Sequence, residues 1–176
     1  APSLRYKYLH SISRLKKKDN RFIILVALPI FMDQSENILS VIAESLDAFQ
    51  HMGDIGIPIK VHPTKSADSF KSKFSIESDN CRFINEDFFE SIKTADLLVS
   101  AASTTCMEAL AIGVPVAIIG ARNKILQNPI PRSIDNDYWR ICYSSDELLG
   151  FIETIQKINK DDIEMNLGQI KDSYFM

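Results

Sequence analysis

The segment 97–120 constrains the fold of this chain more than any other part of the sequence. Two apolar runs stand on either side of a turn of small and hydroxyl-bearing residues and a short helical stretch. The first run has no polar face, which is typical of a strand buried on both sides in a parallel sheet. Gly113 and Pro115 follow the helical stretch, as is common where a helix stops. The segment therefore predicts a β-α-β unit.

The turn inside this unit is predicted to bind an anion. Ser103, Thr104 and Thr105 are all suited to cap the helix, and Thr105 with Glu108 has the spacing of a capping box. A helix N-terminus at the carboxyl end of a parallel strand attracts anions, because N–H groups and the helix dipole point at it. Hydroxyl groups suit phosphate oxygens, so Ser103 and Thr104 are candidate phosphate ligands. Glu108, one turn further on, is expected to face the group that the phosphate carries.

Length and cysteine content narrow the class of protein. A chain of 176 residues suits one domain with a complete core. No apolar run approaches the ~20 residues of a membrane span, and the first residues lack the pattern of a signal peptide. The cysteines are widely spaced, and no pair has the spacing of metal ligands or of a redox motif. A reducing, cytoplasmic compartment is therefore predicted.

The charge of the chain is unevenly distributed. The net charge is −3, yet residues 1–18 contain six basic residues and no acidic one, so the rest of the chain carries −9. A nucleic-acid partner is not expected, because such proteins spread basic residues over the folded surface. Residues 1–20 are predicted to be a solvated leading segment or linker, with 21–176 as the folded domain. The alternative for residues 1–18 is contact with an anionic membrane surface, where each basic residue adds ~1 kcal/mol.

Strand and helix patterns alternate along the folded part. Apolar runs predict strands at 22–28, 57–61, 82–84 and 138–143, and helical spacing predicts helices at about 33–53, 86–94, 144–157 and 161–172. Residues 64–80 and 121–137 are predicted to be loops, the first with one helical turn. This alternation implies an α/β fold, a Rossmann-like parallel sheet flanked by helices.

Several helix ends are predicted from capping residues. The pairs Asp33–Glu36 and Ser144–Glu147 have capping-box spacing, and Gly53 and Gly56 are expected to close the first helix. Ligands of such sheets bind at the carboxyl ends of the strands. No Gly-x-Gly-x-x-Gly follows the first strand and no Walker lysine loop is present, so neither dinucleotide binding nor ordinary NTP hydrolysis is expected.

Two loop motifs at this end of the sheet, Lys60-Val61-His62-Pro63 and Ser103-Thr104-Thr105, point to a known group of enzymes. Together with the block Glu108–Val116, which has Glu-Ala, a glycine and then Pro-Val, they resemble the donor-binding half of GT-B glycosyltransferases. The resemblance covers about residues 20–155. It is nearest to bacterial transferases of capsular and wall polysaccharides that carry a His-Pro motif and a Ser/Thr pair. The fold it implies is one half of a GT-B protein.

The resemblance also implies roles for particular residues. It implies that His62, the catalytic residue, contacts the phosphate of a CMP-, CDP- or UDP-linked sugar. Ser103 and Thr104 are expected to contact the same phosphate, and Glu108 is expected to bind hydroxyl groups of the donor. Lys60, beside His62, and Arg122, at a strand end, are further candidate ligands of the donor's charge. No metal and no separate cofactor are expected, because His62 and the helix dipole can offset the phosphate charge. The GT-B pattern further implies an N-terminal acceptor-binding domain, which this sequence lacks.

Three functions follow as hypotheses. The first is the donor-binding domain of a glycosyltransferase in surface polysaccharide biosynthesis, inactive without its acceptor-binding half and located in the cytoplasm, peripheral to the membrane. The second is a nucleotide-binding or scaffold module without turnover. The third is half of a UDP-sugar epimerase, since those enzymes share the GT-B fold.

Overall fold

The computed structural model describes residues 9–15, 17, 20–123 and 125–175. Six strands form one sheet in the order β3-β2-β1-β4-β5-β6, and every neighbouring pair is parallel. The chain builds outward from β1 to β3 and then returns to place β4 on the other side of β1. The strand order thus reverses between β1 and β4, the point where ligands of such sheets bind. The strands are β1 Phe22–Ala27, β2 Ile55–Lys60, β3 Cys81–Ile84, β4 Leu97–Ser100, β5 Val116–Ile119 and β6 Trp139–Cys142.

Helices connect the strands and cover the sheet, which confirms the predicted Rossmann-like α/β fold. The helical turn predicted within 64–80 is α2, and the predicted loop 121–137 contains no helix or strand among its described residues. The helices are α1 Met32–Phe49, α2 Asp68–Lys71, α3 Phe88–Ile92, α4 Thr104–Ile112, α5 Ser145–Lys157 and α6 Lys160–Tyr174.

The core lies on both faces of the central strands. All four residues of β4 and all four of β5 are buried, as the uninterrupted apolar runs predict. The cysteines Cys81, Cys106 and Cys142 are buried free thiols in this core. Burial raises the pKa of Cys81 and Cys142 to about 12 and that of Cys106 to about 11. These thiols stay protonated at neutral pH, and their role is packing rather than chemistry.

Two predicted helix boundaries are wrong. Helix α1 is capped by Phe31, without a side-chain hydrogen bond, so Asp33 lies inside the first turn and not at the cap. Asp33 complements the helix dipole from that turn. Gly56 lies within β2, where a Cβ would stand 2.9 Å from Arg21 Nε. The glycine at 56 therefore makes room for the Arg21 side chain rather than ending a helix.

Part of the leading segment packs on the domain. Leu9 and Ile12 are buried, and the Leu15 N–H donates to the Lys93 carbonyl over 2.9 Å. The described residues of this segment are thus not a solvated linker, whereas the basic residues Arg5, Lys7, Lys16 and Lys18 lie outside the described residues. Contact of this segment with a membrane surface stays a prediction. Within the described residues, no helix has the length and apolarity required to cross a bilayer.

The packed segment is joined to the amino end of the sheet through Asp96, a buried residue directly before β4. The Asp96 carboxylate accepts a hydrogen bond from the Ile23 N–H at 2.8 Å and from Lys17, and it pairs with Lys160 at 3.0 Å and Arg14 at 3.5 Å. Burial alone would raise the pKa of Asp96. The hydrogen bonds from Lys17, Ile23 and Lys160 outweigh burial and hold its pKa below the ordinary value.

Candidate functional site

The carboxyl end of the sheet opens into a cavity of about 490 Å³ at the point where the strand order reverses. A second opening of about 400 Å³ lies at the amino end, around Asp96. The larger cavity has the size of a small-molecule site, and it lies where α/β sheets bind ligands. Its walls come from the loops after β1, β2, β3 and β4: residues 27–31, Gln34, 60–63, 87–89, Ser100 and 102–105.

The first wall is the turn between β4 and α4. Ser103 is the N-cap residue, with φ −151° and ψ 165°, and α4 begins at Thr104. The predicted capping box of Thr105 and Glu108 is therefore wrong, because Thr105 already lies inside the helix. The Ser103 side chain accepts no hydrogen bond from the N–H groups of α4. Ser103, Thr104 and Thr105 all line the cavity, so the N-terminus of a nine-residue helix opens onto it.

The second wall is the end of β2. Lys60 is the last residue of that strand and lies beside Ala27 of β1, whose own end forms part of the cavity. His62 follows two residues later and is half-buried. The Lys65 N–H donates to the His62 carbonyl over 2.9 Å, which closes a turn with Pro63 at its second position. This turn holds His62 against the cavity.

The charges of the cavity favour an anion. Lys60 and Asp87 are the charged residues of its wall, and His62 is its titratable imidazole. The Asp87 carboxylate already accepts the Phe89 N–H over 2.8 Å and caps α3. Among the residues that the structure describes, no carboxylate forms an ion pair with Lys60. The positive charge of Lys60 and the dipole of α4 are thus directed at the same space.

The same cavity also has an apolar wall. It consists of Pro29, Ile30, Phe31, Phe88 and Phe89, and Phe31 is 62% exposed. Flat apolar surfaces of this kind suit aromatic rings. Sequence reasoning missed these residues, because Phe88 and Phe89 have the helical spacing of core residues. Their place directly after β3, at the same end of the sheet as His62, was the signal that could have identified them.

A smaller cavity of about 250 Å³ adjoins this site and shares Gln34 and Ala102 with it. Asp33 and Asn37 of α1 line it, and the Asn37 side-chain amide donates to the Gly120 carbonyl over 3.1 Å. Its wall contains no lysine or arginine among the described residues. The carboxyl end of the sheet therefore has one compartment that contains a lysine and one that contains none among the described residues.

The structure brings together four of the six predicted site residues. Lys60, His62, Ser103 and Thr104 share one cavity. Glu108 does not line it and is buried within α4, with 2% of its surface exposed. The Arg122 side chain is 74% exposed and reaches Glu147 at 3.2 Å. The predicted roles of Glu108 and Arg122 in donor binding are not supported by their positions and stay predictions.

Metal-ligand geometry is not evident in the described part of the chain. Among those residues, no group of three or more His, Cys, Asp or Glu side chains is placed to hold a metal ion.

Comparison with known proteins defines the fold. No family model matches the sequence, and no curated protein matches it. A Listeria monocytogenes structure assigned as a UDP-N-acetylglucosamine 2-epimerase aligns over 97% of this chain and 50% of its own length, with a TM-score of 0.66 and 12% identity. A spinosyn rhamnosyltransferase in complex with thymidine diphosphate aligns over 92% of this chain and 43% of its own, with a TM-score of 0.63 and 12% identity.

A third similar structure extends this result. The UDP-GlcNAc 2-epimerase of Methanocaldococcus jannaschii, in complex with UDP-GlcNAc and UDP, aligns over 90% of this chain and 43% of its own length, with a TM-score of 0.59 and 14% identity. The chain spans half or less of the length of these three structures. Its six-stranded parallel sheet flanked by helices is the Rossmann-like fold of one half of a GT-B protein.

Proposed function

We propose that this chain is the sugar-nucleotide-binding half of a GT-B glycosyltransferase, and that its cavity binds the phosphates of a pyrimidine nucleotide. The observation that carries the proposal is the meeting of Lys60, His62 and the N-terminus of α4 at one cavity. These groups come from two strands separated by about 40 residues of sequence. A helix cap alone would not require Lys60 and His62 to lie beside the N-terminus of α4. The convergence of these groups therefore supports a binding site.

The polar wall suits a phosphate. Hydrogen bonds from Lys60 and His62 to phosphate oxygens are charge-assisted, and they are about twice as strong as neutral ones. The first N–H groups of α4 and the hydroxyls of Ser103 and Thr104 supply further donors. Donors fixed in this way stabilise the charge that develops on a departing phosphate. In this role the chain binds the leaving group, and an acceptor-binding domain supplies the base.

The apolar wall supports a nucleotide over a bare phosphate. Phe31, Phe88 and Phe89 line the same cavity as Lys60 and His62, so an aromatic base and a phosphate can occupy it together. Two of the similar structures contain thymidine diphosphate or UDP and UDP-GlcNAc. The proposed ligand is accordingly a CMP-, CDP- or UDP-linked sugar. The His-Pro and Ser/Thr motifs support a transferase of surface polysaccharides within this class.

The main alternative is half of a UDP-sugar epimerase. Several similar structures are epimerases, and their fold likeness to this chain equals that of the transferases. Both enzymes need the same phosphate site, so the cavity supports them equally. A nucleotide-binding module without turnover is the second alternative. The three functions differ in what the second half of the protein contributes.

Thermal unfolding with CMP, CDP, UDP, GDP and inorganic pyrophosphate tests the binding proposal. A ligand at about 100 times its Kd stabilises the fold by ~2.7 kcal/mol, so a clear rise in Tm is expected with a pyrimidine nucleotide. Pyrophosphate is expected to give a smaller rise, since it leaves the apolar wall empty. Absence of binding by every pyrimidine nucleotide at millimolar concentration would contradict the proposal.

Product analysis separates the functions. The chain by itself is expected to bind UDP-GlcNAc without releasing UDP and without forming its 2-epimer. Supplying the gene's preceding α/β domain, where one is encoded, is expected to restore transfer of the sugar. Formation of the 2-epimer by that longer protein would favour the epimerase, and binding without any turnover would favour the module.

A further inference from the structure

We infer that Thr64 is a positioning residue that keeps the His62 ring proton on Nε2, so that the imidazole always presents an N–H donor to the ligand. The inference rests on the proposed function for the identity of the ligand. The orientation of the ring itself is a property of the free chain and can be measured there. The relevant segment is the turn His62-Pro63-Thr64-Lys65, referred to below as the HPTK turn.

The geometry of the HPTK turn directs Thr64 at the histidine ring. Two groups of Thr64 contact His62 Nδ1: the hydroxyl Oγ1 at 2.8 Å and the backbone N–H at 3.3 Å. The Lys65 N–H closes the turn on the His62 carbonyl, and Pro63 fixes its own φ near −65°. His62 thus accepts from the backbone two residues on, much as Asn and Asp side chains do in turns.

These contacts determine which nitrogen carries the proton in the neutral ring. A backbone N–H can only donate, so Nδ1 must accept the hydrogen bond from Thr64 and cannot itself bear a proton. The proton of a neutral imidazole then lies on Nε2. The ring hydrogen bonds that the structure describes for His62 all go to Thr64, which leaves Nε2 as the ring atom for a ligand.

The Thr64 hydroxyl extends this arrangement to the charged ring. A hydroxyl can donate or accept, so Oγ1 can donate to Nδ1 of neutral His62 and accept from Nδ1–H of the cation. In both states Nε2 carries a proton. Without Thr64, a neutral ring could turn a lone pair toward the phosphate and repel it. The charged residues of the same cavity, Lys60 and Asp87, make no described contact with Nδ1, and Asp87 is engaged in capping α3.

The tautomer can be read directly by long-range ¹H–¹⁵N correlation spectra of the free chain. The sequence has three histidines, His10, His51 and His62, so the spectrum is simple, and His62→Gln identifies the signals of His62. At a pH where the rings are neutral, His62 is expected to show a protonated Nε2 and an unprotonated Nδ1. The exposed His51 serves as the internal reference, and His62 is expected to favour the Nε2–H form more strongly.

Matched substitutions of Thr64 test its role. Thr64→Val keeps the shape and the backbone N–H and removes the hydroxyl, the shorter of the two contacts with Nδ1, so it is expected to move the tautomer balance of His62 partway toward that of His51. Thr64→Ser retains the hydroxyl and is expected to retain the balance. A protonated Nδ1 in the unmodified chain would overturn the inference. An unchanged balance in Thr64→Val would assign the tautomer to the backbone N–H alone and overturn the role of the Thr64 side chain. Thr64 is exposed, so neither variant threatens the fold.

Affinity for UDP gives the functional readout. Thr64→Val is expected to weaken UDP binding about three- to tenfold, the value of one ordinary hydrogen bond, and Thr64→Ser about twofold or less. In a His62→Gln background, Thr64→Val is expected to have no further effect, because Thr64 acts through His62. An equal loss of UDP affinity in both backgrounds would show that Thr64 does not act through His62 and would overturn this part of the inference. If no variant binds UDP, the proposed function fails, whereas the spectra of the free chain still decide the role of Thr64.

Discussion

The two ends of the sheet use their polar groups in different ways. At the amino end, Asp96 is surrounded by Lys17, Lys160, Arg14 and the Ile23 N–H, so its charge is neutralised by groups of the chain itself. At the carboxyl end, Lys60 and the N-terminus of α4 face a cavity, and no described carboxylate pairs with Lys60. The charges at the amino end stabilise the fold. Lys60 at the carboxyl end has no such partner among the described residues, which is what the proposed ligand site requires.

Two serines show the same contrast at atomic scale. Ser103 and Ser144 are both N-cap residues, and their backbone angles are nearly identical, with φ −151° and ψ 165° against φ −153° and ψ 166°. The Ser144 hydroxyl accepts the Glu147 N–H over 3.3 Å and caps α5, as predicted. The Ser103 hydroxyl accepts no N–H of α4 and lies on the cavity wall. The hydroxyl of Ser144 completes its helix, whereas Ser103 lines the cavity without capping its helix.

The largest expected effect is on stability at the amino end. Asp96→Ala removes the buried carboxylate that pairs with Lys17 and Arg14, each with 11% of its side chain exposed, and is expected to lower the free energy of unfolding by about 3 kcal/mol. UDP affinity is expected to stay unchanged. Urea unfolding and calorimetric titration measure the two quantities. The control is Asp54→Ala, which removes a 70% exposed partner of Arg21 and is expected to cost less than about 1 kcal/mol.

Acid is expected to reproduce part of this loss. Because the pKa of Asp96 is lowered in the folded chain, its carboxylate stabilises the fold above the ordinary aspartate pKa of ~3.9. That contribution is lost as the pH falls from there through the lowered folded pKa. Asp96→Asn is therefore expected to unfold with a shallower dependence on pH in this acid range. Parallel stability curves for the two proteins would show that other carboxylates govern acid unfolding.

The next effect is on binding at the carboxyl end. Replacing Ser103 and Thr104 by Ala is expected to weaken UDP binding at least tenfold, since hydrogen bonds to charged groups contribute ~1.5–3 kcal/mol each. The free energy of unfolding is expected to fall by less than the roughly 0.5–2 kcal/mol that loss of a helix cap costs, because Ser103 makes no capping hydrogen bond. Ser144→Ala is the matched control, with a loss of stability in that range and unchanged affinity. A double variant with a lower Tm and an unchanged affinity for UDP would identify Ser103 as a structural residue.

The smallest expected effect is at Arg122. Its guanidinium pairs with Glu147 on the surface and does not line the cavity. Arg122→Ala is accordingly expected to change UDP affinity by less than about twofold and stability by less than about 1 kcal/mol. A tenfold loss of affinity in the same titration would instead support the donor-binding role predicted from the sequence.

The elements of the fold were predictable because their signals are local. The apolar runs of β4 and β5 and the caps of α5 can be read from neighbouring residues, and the structure has them where expected. The first residue of α4 was not predictable, because Ser103, Thr104 and Thr105 follow one another and each can cap a helix. The capping box of Thr105 and Glu108 was wrong for the same reason, because a helix that begins at Thr104 has Thr105 inside its first turn.

The site was predictable only where strand ends mark it. Lys60, His62, Ser103 and Thr104 each stand at or directly after a strand, and the parallel topology brings those ends together. Phe31 and Phe88 join them from helix beginnings, which hydrophobic spacing cannot distinguish from core. The contact between Thr64 and the His62 ring depends on a turn geometry that the sequence does not specify.

Amide chemical-shift mapping during a UDP titration tests the central claim most directly, because it reports both ends of the sheet in one experiment. We expect shifts at Lys60 and His62 and at residues 103–105, with the amides around Asp96 and Lys160 unchanged. Shifts confined to the amino end of the sheet, or none at saturating UDP, would contradict the claim that the cavity at the carboxyl end binds the nucleotide.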